Sequence, residues 1–207
     1  MADVSIRRVR IWSGALRLLH WAIALAVLGL VASGWLLEGV AGAPGAEEVH
    51  ANLAYLLLAL LVVRIHLLLF GRGPAQWRGF LPARPGAALQ VLRFYISRGQ
   101  SPLPAYYAHN PLWGPLYLVI YGLLLVQFMT GLFGLEGWHL TGGWVLAGLA
   151  AAHVAAAVAH DWGGTGSDVS ALLNGHRIFV SNPVEVPGSG GPVEVKLQGP
   201  GGPGGPR

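Results

Sequence analysis

The chain has 207 residues, 54% of them hydrophobic and 11% charged, with a formal net charge of +4 and a mean hydropathy of +0.54. A soluble domain of this length carries about a quarter charged residues, so much of this surface must face lipid. There is no cysteine, which excludes disulfides, cysteine-held iron–sulfur clusters and haem attachment through C-x-x-C-H. Any redox cofactor must therefore be held non-covalently, and eight histidines are the available ligands. The basic residues alternate with apolar runs instead of forming one patch, so the charge implies no nucleic-acid partner.

Residues 1–15 are polar and basic, with Arg7, Arg8 and Arg10 clustered. An apolar run over 16–37 follows, interrupted by Arg17 and His20; at ~20 residues it is too long for a signal-peptide core and reads as the first membrane span. A Gly/Ala/Pro loop with three glutamates leads to a second span over 50–70. Gly71–His109 is polar and holds five arginines, with Ala87–Ile96 patterned as an interfacial amphipathic helix. The third span, 111–133, contains no histidine, and a tight turn at Gly134–Gly137 leads to the fourth, 138–160. The expectation is an all-α four-span bundle over 16–161, a surface segment over 162–181 with a short helix, and a Pro/Gly-rich, unstructured or partner-bound tail over 182–207. The loops at 38–49 and 134–138 carry no Lys or Arg, so the positive-inside rule places both termini in the cytoplasm. Trp12, Trp21, Trp35, Trp113, Trp138 and Trp162 fall near span ends, as interfacial belts do, and read as anchors only.

The fourth span organises the rest. His139 and His153 are fourteen residues apart, which returns to within roughly 40° of one helix face about 21 Å further along. Gly142, Gly143, Gly148 and a run of alanines leave little bulk around them. A bland alternative is a small-residue packing face with incidental histidines, but intramembrane histidines are costly and usually functional. By depth, His50 pairs with His139 near the outer surface and His20 with His153 toward the cytoplasm. Two imidazoles per level, with no carboxylate beside them, suit the axial ligation of b-type haem rather than zinc, which takes three or four ligands.

His66 has the depth of a partner for His153, but it lies roughly 160° around the helix from His50 and faces elsewhere. Arg64 returns to the His50 face, and a buried guanidinium in a span needs a partner; a haem propionate is the expected one. Arg17, three residues before His20, either does the same or extends to the interface. Asn110 and Pro111 suit a helix start, while His109 and Asn110 also suit a site for the carbonyl oxygens of a quinone. His160 reads as a cap, a proton carrier or neither, and His176 as a residue of the polar tail.

RLLHW (Arg17–Trp21), the histidine opening span two with Arg64 near its end, HNPLWG (His109–Gly114) and HVAAAVAHDWGGTGSDVSALLNGHRIF (His153–Phe179) together resemble the prokaryotic cytochrome b561 family over about residues 6–178. The likeness is closest to the di-haem b-type cytochrome subunits of membrane-bound nickel–iron hydrogenases, with the haem plan of the formate dehydrogenase gamma subunit. The resemblance implies two haems b, ligated by His20 with His153 and by His50 with His139, and a quinone at the cytoplasmic haem near Asn110. His66 departs from the family pattern, and the tail has no counterpart in it. The expected role is an electron-transfer subunit in the bacterial inner membrane, rather than a complete enzyme, linking a periplasmic redox protein (hydrogenase-like or a cytochrome c) to the quinone pool. The alternatives are a stand-alone oxidoreductase between quinone and superoxide, which the acidic outer loops disfavour, and a haem-free transporter using its histidines.

Overall fold

The computed structural model describes residues 5–39, 44–97, 100–101, 106, 108–162 and 168–181. Four long helices follow the apolar runs: α1 (Gly14–Gly39), α2 (Ala46–Phe70), α4 (Trp113–Leu132) and α5 (Glu136–Trp162). Protein covers only 11%, 22%, 11% and 6% of their most apolar windows. Helices so apolar and so little covered are stable only where lipid replaces water. Each begins or ends within four residues of the expected span, the largest difference being α2, whose first turn takes up Glu47 and Glu48, an acidic start that suits the helix dipole.

The helices form two hairpins. α1 packs along α2 and α4 along α5, while α5 stands off both α1 and α2. The α4–α5 turn closes through Gly134, at φ 64°, where the Leu135 amide reaches back to the Thr130 carbonyl at 2.9 Å. The hairpins meet in a small core of Ala26, Leu57, Leu61, Leu124 and Leu146. Contact is thus closest near mid-height, leaving a cleft between the hairpins above and below it, where imidazole rings of α1 and α2 meet those of α5.

The other elements gather at the end of the bundle where α1 starts and α5 finishes. After α2 the chain makes two 3₁₀ turns, Gly73–Ala75 and Trp77–Phe80, and then the amphipathic helix α3 (Ala87–Ile96). A short helix α6 (Asp168–Asn174) begins on Asp161, whose carboxylate accepts the amides of Asp168, Val169 and Ser170 at 2.5–3.3 Å. The sequence reading of an all-α chain needs one correction here. Strands β1 (Ser5–Arg10) and β2 (His176–Ser181) pair antiparallel, Arg10 opposite His176 and Arg8 opposite Ile178. Neither strand alternates apolar and polar residues strictly (β2 runs Ile178, Phe179, Val180), and the partner lies more than 160 residues away, so local sequence does not announce the pairing. Gly175 makes the corner: its φ is 82°, its carbonyl accepts the Ile11 and Trp12 amides at 2.9 and 3.1 Å, and a Cβ there would stand 2.7 Å from the Trp12 carbonyl oxygen. The Pro/Gly-rich segment expected to be unstructured, 182–207, lies outside the described residues.

Candidate haem sites in the cleft

Four histidines face the cleft at two levels. The rings of His20 on α1 and His153 on α5 have centroids 6.3 Å apart at the ribbon end. Those of His50 on α2 and His139 on α5 are 6.0 Å apart toward the hairpin turns. Two imidazoles binding one iron from opposite sides, each through a nitrogen–metal bond of about 2.0 Å, place their ring centres about 6 Å apart. The spacing of both pairs is that of ligands on either side of one metal ion.

The second ring nitrogen fits the same reading. His153 Nδ1 meets the Tyr117 hydroxyl at 3.0 Å, His50 Nδ1 meets Ser33 Oγ at 2.9 Å, and His139 Nδ1 lies 3.0 Å from the Gln127 carbonyl and 3.2 Å from Thr130 Oγ1. Metal-binding histidines use one nitrogen for the metal and anchor the other in this way, fixing ring and tautomer. In three of the four rings Nδ1 is engaged, which leaves Nε2 as the nitrogen available to a metal. Small residues let the rings lie close: a Cβ on Gly131 would be 2.8 Å from His139 Cε1, and one on Gly34 would be 3.5 Å from His50 Cε1. Among the described residues no three His, Asp or Glu side chains converge as a zinc or di-iron centre needs.

The small residues of α5 act differently from the sequence expectation. Gly142 does lie on the histidine face, but what it accommodates is Gln127 of α4, whose Oε1 a Cβ would strike at 2.3 Å. Ala147, Ala150, Ala151, Val154 and Ala155 line a groove of about 680 Å³ against Val27 and Val31 of α1. Helical phase centres that stripe roughly 130° from His153, with Ala150 nearest at about 60°. Most of it is an apolar surface turned away from the paired imidazoles.

The two arginines are placed near the inner pair. Arg17 donates Nη1 to the Leu173 carbonyl, and its Nε is buried without a partner. The unused donor lies at the ribbon corner, where a Cβ on Gly175 would stand 3.4 Å from it, and a cation with such a donor one turn from His20 in sequence fits a haem carboxylate. Arg64, 6% exposed, donates Nε to the Tyr121 hydroxyl at 3.1 Å and Nη1 to the Ala75 carbonyl at 3.0 Å, with its guanidinium over the Phe80 and Tyr121 rings. Its burial is thus compensated by neutral partners, so an anion is not required to explain it. His66 is exposed on α2, in contact with Phe70.

His109 and Asn110 sit at the mouth of α4. Asn110 Oδ1 caps the helix, accepting the Leu112 amide at 2.9 Å, while its Nδ2 is buried with no hydrogen-bond partner. His109 stacks on Phe80 at 3.8 Å, with Nδ1 3.0 Å from the Gly79 carbonyl. Burial lowers its pKa to about 4, the Gly79 bond opposing. It is therefore a neutral ring at physiological pH.

The described residues also hold a polar cluster that the sequence reading left open. His160, 2% exposed, joins Tyr95 Oη at 2.7 Å and Asp168 Oδ2 at 3.1 Å. Arg177 Nη2 binds Asp168 Oδ1 at 2.7 Å, and the Tyr106 hydroxyl donates to Oδ2 at 3.3 Å. Burial raises the Asp168 pKa, but the His160 hydrogen bond and the Arg177 charge outweigh it and hold the carboxyl below its ordinary value. Burial raises the Tyr95 and Tyr106 hydroxyls. Trp113, taken from sequence as an interfacial anchor, donates Nε1 to Tyr95 Oη at 3.0 Å and lies 6.0 Å from His153 ring to ring.

The family model described as prokaryotic cytochrome b561 matches residues 11–175. The chain belongs to the prokaryotic cytochrome b561 family. Membership makes it a multi-pass membrane b-type cytochrome of electron transfer, and the imidazole pairs fit the haem b that the family implies. No curated protein and no solved structure matches the chain. Sequence reasoning missed Ser33, Tyr117 and Thr130 of this b561-family chain, whose hydroxyls meet the paired imidazoles, and Gln127, whose side-chain amide donates to the His139 backbone carbonyl while its own backbone carbonyl meets His139 Nδ1. The signal was available, since a polar side chain inside a span is costly unless it has a partner there.

Proposed function

We propose that this chain is a di-haem b-type cytochrome that moves electrons between a redox partner on the periplasmic side and the quinone pool on the cytoplasmic side of the bacterial inner membrane. The observation that carries it is the pair of imidazole pairs, 6.3 and 6.0 Å across, on two levels of one cleft. His20 with His153 and His50 with His139 would hold the haems, and haem bound there would supply one-electron redox chemistry. Two imidazoles per haem would leave electron transfer, rather than oxygen binding, as the activity.

The protein's own part is to hold the rings. Ser33, Tyr117, Gln127 and Thr130 fix imidazole orientation, and Arg17 supports a propionate at the inner site. Fourteen residues of α5 set the two levels about 21 Å apart along the helix. The buried and unpartnered Asn110 Nδ2 is the donor for a quinone carbonyl, beside neutral His109. Both termini lie in the cytoplasm, and the acidic loops toward the other side suit a basic partner surface, as in a hydrogenase-type complex or with a cytochrome c.

The decisive experiment is a haem count with a dithionite-reduced minus oxidised spectrum on the purified protein. Two haems b per chain are expected, falling to one in His50→Ala and to one in His153→Ala. Absence of a b-type alpha band overturns the proposal, as does loss of haem in His66→Ala with His20→Ala unaffected.

A further inference from the structure

We propose that Asp168, His160 and Tyr106 form a proton relay serving the quinone position at Asn110, with His160 as the store and Asp168 handing the proton to the Tyr106 hydroxyl. The inference rests on the quinone reading above and names the groups that complete its chemistry.

Reduction of a quinone to a quinol takes two electrons and two protons, one proton for each carbonyl oxygen. The electrons come from the reduced protein, and the protons must come from water through this chain. Asp168 is the point where water reaches the cluster, its side chain being 24% exposed while that of His160 is 3% exposed. A single oxygen, Asp168 Oδ2, meets both His160 Nδ1 at 3.1 Å and the Tyr106 hydroxyl at 3.3 Å. Arg177 binds the other oxygen at 2.7 Å and covers the Tyr106 ring at 4.1 Å, so the carboxylate is fixed with Oδ2 free to exchange. The Asn110 side chain, whose Nδ2 has no partner at hydrogen-bonding distance, is near enough to Tyr106 to act on its hydroxyl as a hydrogen-bond donor.

The atoms balance along this route. When a carbonyl oxygen takes the Tyr106 proton, its O–H bond forms as the phenolic O–H breaks. The phenolate recovers a proton from Asp168 Oδ2 as His160 Nδ1–H gives its proton to that oxygen, and water then returns a proton to His160 Nδ1 through Asp168. The His160 Nδ1–Asp168 Oδ2 contact is a hydrogen bond whichever of the two atoms carries the shared proton. Nε2–H rests on Tyr95 Oη, which also accepts Trp113 Nε1–H at 3.0 Å, and a phenolic oxygen has two lone pairs for these donors. The charged and titratable groups facing the pair include Tyr95 from α3, Tyr106 from the preceding loop, Arg177 from β2 and Asp161 from α5, whose carboxylate is occupied by the α6 amides; His153 of α5 and Tyr117 of α4 lie within Coulombic range of Asp168. Phe94 closes the His160 side. One acid, one base and one phenol meeting at one oxygen, next to an unused amide donor, make more than a structural clasp.

The test uses the full haem-loaded chain in detergent, reduced with dithionite and mixed by stopped flow with a short-chain ubiquinone analogue. Ferricyanide, which takes an electron without a proton, is the control. In Asp168→Asn and Tyr106→Phe, reoxidation by the quinone analogue is expected to slow by about a hundredfold, the low end of what a positioned proton donor contributes. Ferricyanide oxidation and analogue binding, read by tryptophan fluorescence quenching, are expected to stay within about twofold of wild type. His160→Gln, which keeps the side-chain length, is expected to show a rate that falls as pH rises, since each proton then comes directly from water. Wild-type rates with quinone in Asp168→Asn and Tyr106→Phe overturn the relay. Equal slowing with ferricyanide overturns it in favour of a structural role. A wild-type protein that ferricyanide oxidises and the quinone analogue does not overturns the quinone reading itself.

Discussion

The Tyr117 hydroxyl lies 3.0 Å from His153 Nδ1, so a phenol on α4, the span with no histidine, sets the ring of an imidazole on α5. Outer partners of this kind are worth about 10–100-fold in metal affinity. Tyr117→Phe is expected to keep the fold and the outer haem while weakening haem retention at the inner site by about tenfold. A haem titration of the apoprotein, followed at the alpha band, reads the change.

Gly131 and Gly34 offer a matched pair of substitutions. A Cβ at Gly131 comes within 2.8 Å of His139 Cε1, whereas at Gly34 the nearest atom of His50 is 3.5 Å away, an ordinary contact. Gly131→Ala is expected to displace the His139 ring and lower haem content toward one per chain. Gly34→Ala and Gly122→Ala, the latter with open space at its Cβ, are expected to keep full content. Each also gains up to about 1 kcal/mol of helix propensity, so a loss confined to Gly131→Ala is a packing effect and not a backbone one.

His109 makes the ribbon end acid-sensitive. Its pKa is lowered from 6.5 to about 4 by burial, so between those pH values the unfolded chain binds more protons at this residue than the folded one. Stability therefore rises with pH from about 4 to 6.5, and is lost as pH falls through that window. His109→Gln, which preserves a donor for the Gly79 carbonyl, is expected to flatten this limb. Thermal melting of the detergent-solubilised protein across that pH range measures it.

At Gly175 the φ of 82° and a Cβ position 2.7 Å from the Trp12 carbonyl oxygen act together. Gly175→Ala is expected to cost roughly 1–3 kcal/mol and to loosen the β1–β2 ribbon before the membrane helices. Faster proteolysis at residues 5–12, with haem content unchanged, is the outcome that checks it.

Much of this was legible in the chain because membrane spans obey one dominant constraint. Backbone polar groups must be satisfied within each segment, so an apolar run of bilayer length has to be a helix. The spacing of His139 and His153 on one helix, and the phase that turns His66 away, follow from the same regularity, and His66 is exposed. The partners of the rings were less legible. Gln127 and Thr130 were visible as polar residues in span three, but which imidazole they hold depends on how α4 and α5 pack.

The ribbon end was the least legible. Asp168 is eight residues from His160 in sequence, yet its carboxylate meets Tyr106 and Arg177 only because α6 and β2 fold back under the bundle. Tyr95 reaches His160 across 65 residues. Polar loop residues carry no periodicity that identifies such partners, and the same sequence signal fits a solvated surface.

By itself the sequence determined the four helices, their order, the basic and acidic ends and the two histidines that share a face of α5, since each follows from local helix geometry and from lipid as the solvent. Only the tertiary structure decided that α5 stands off α1 and α2 with imidazole pairs 6.3 and 6.0 Å across the gap, that Arg64 is held by neutral groups, and that His160 and Asp168 meet. Those relations depend on the packing of segments distant in the chain, which no single helix encodes.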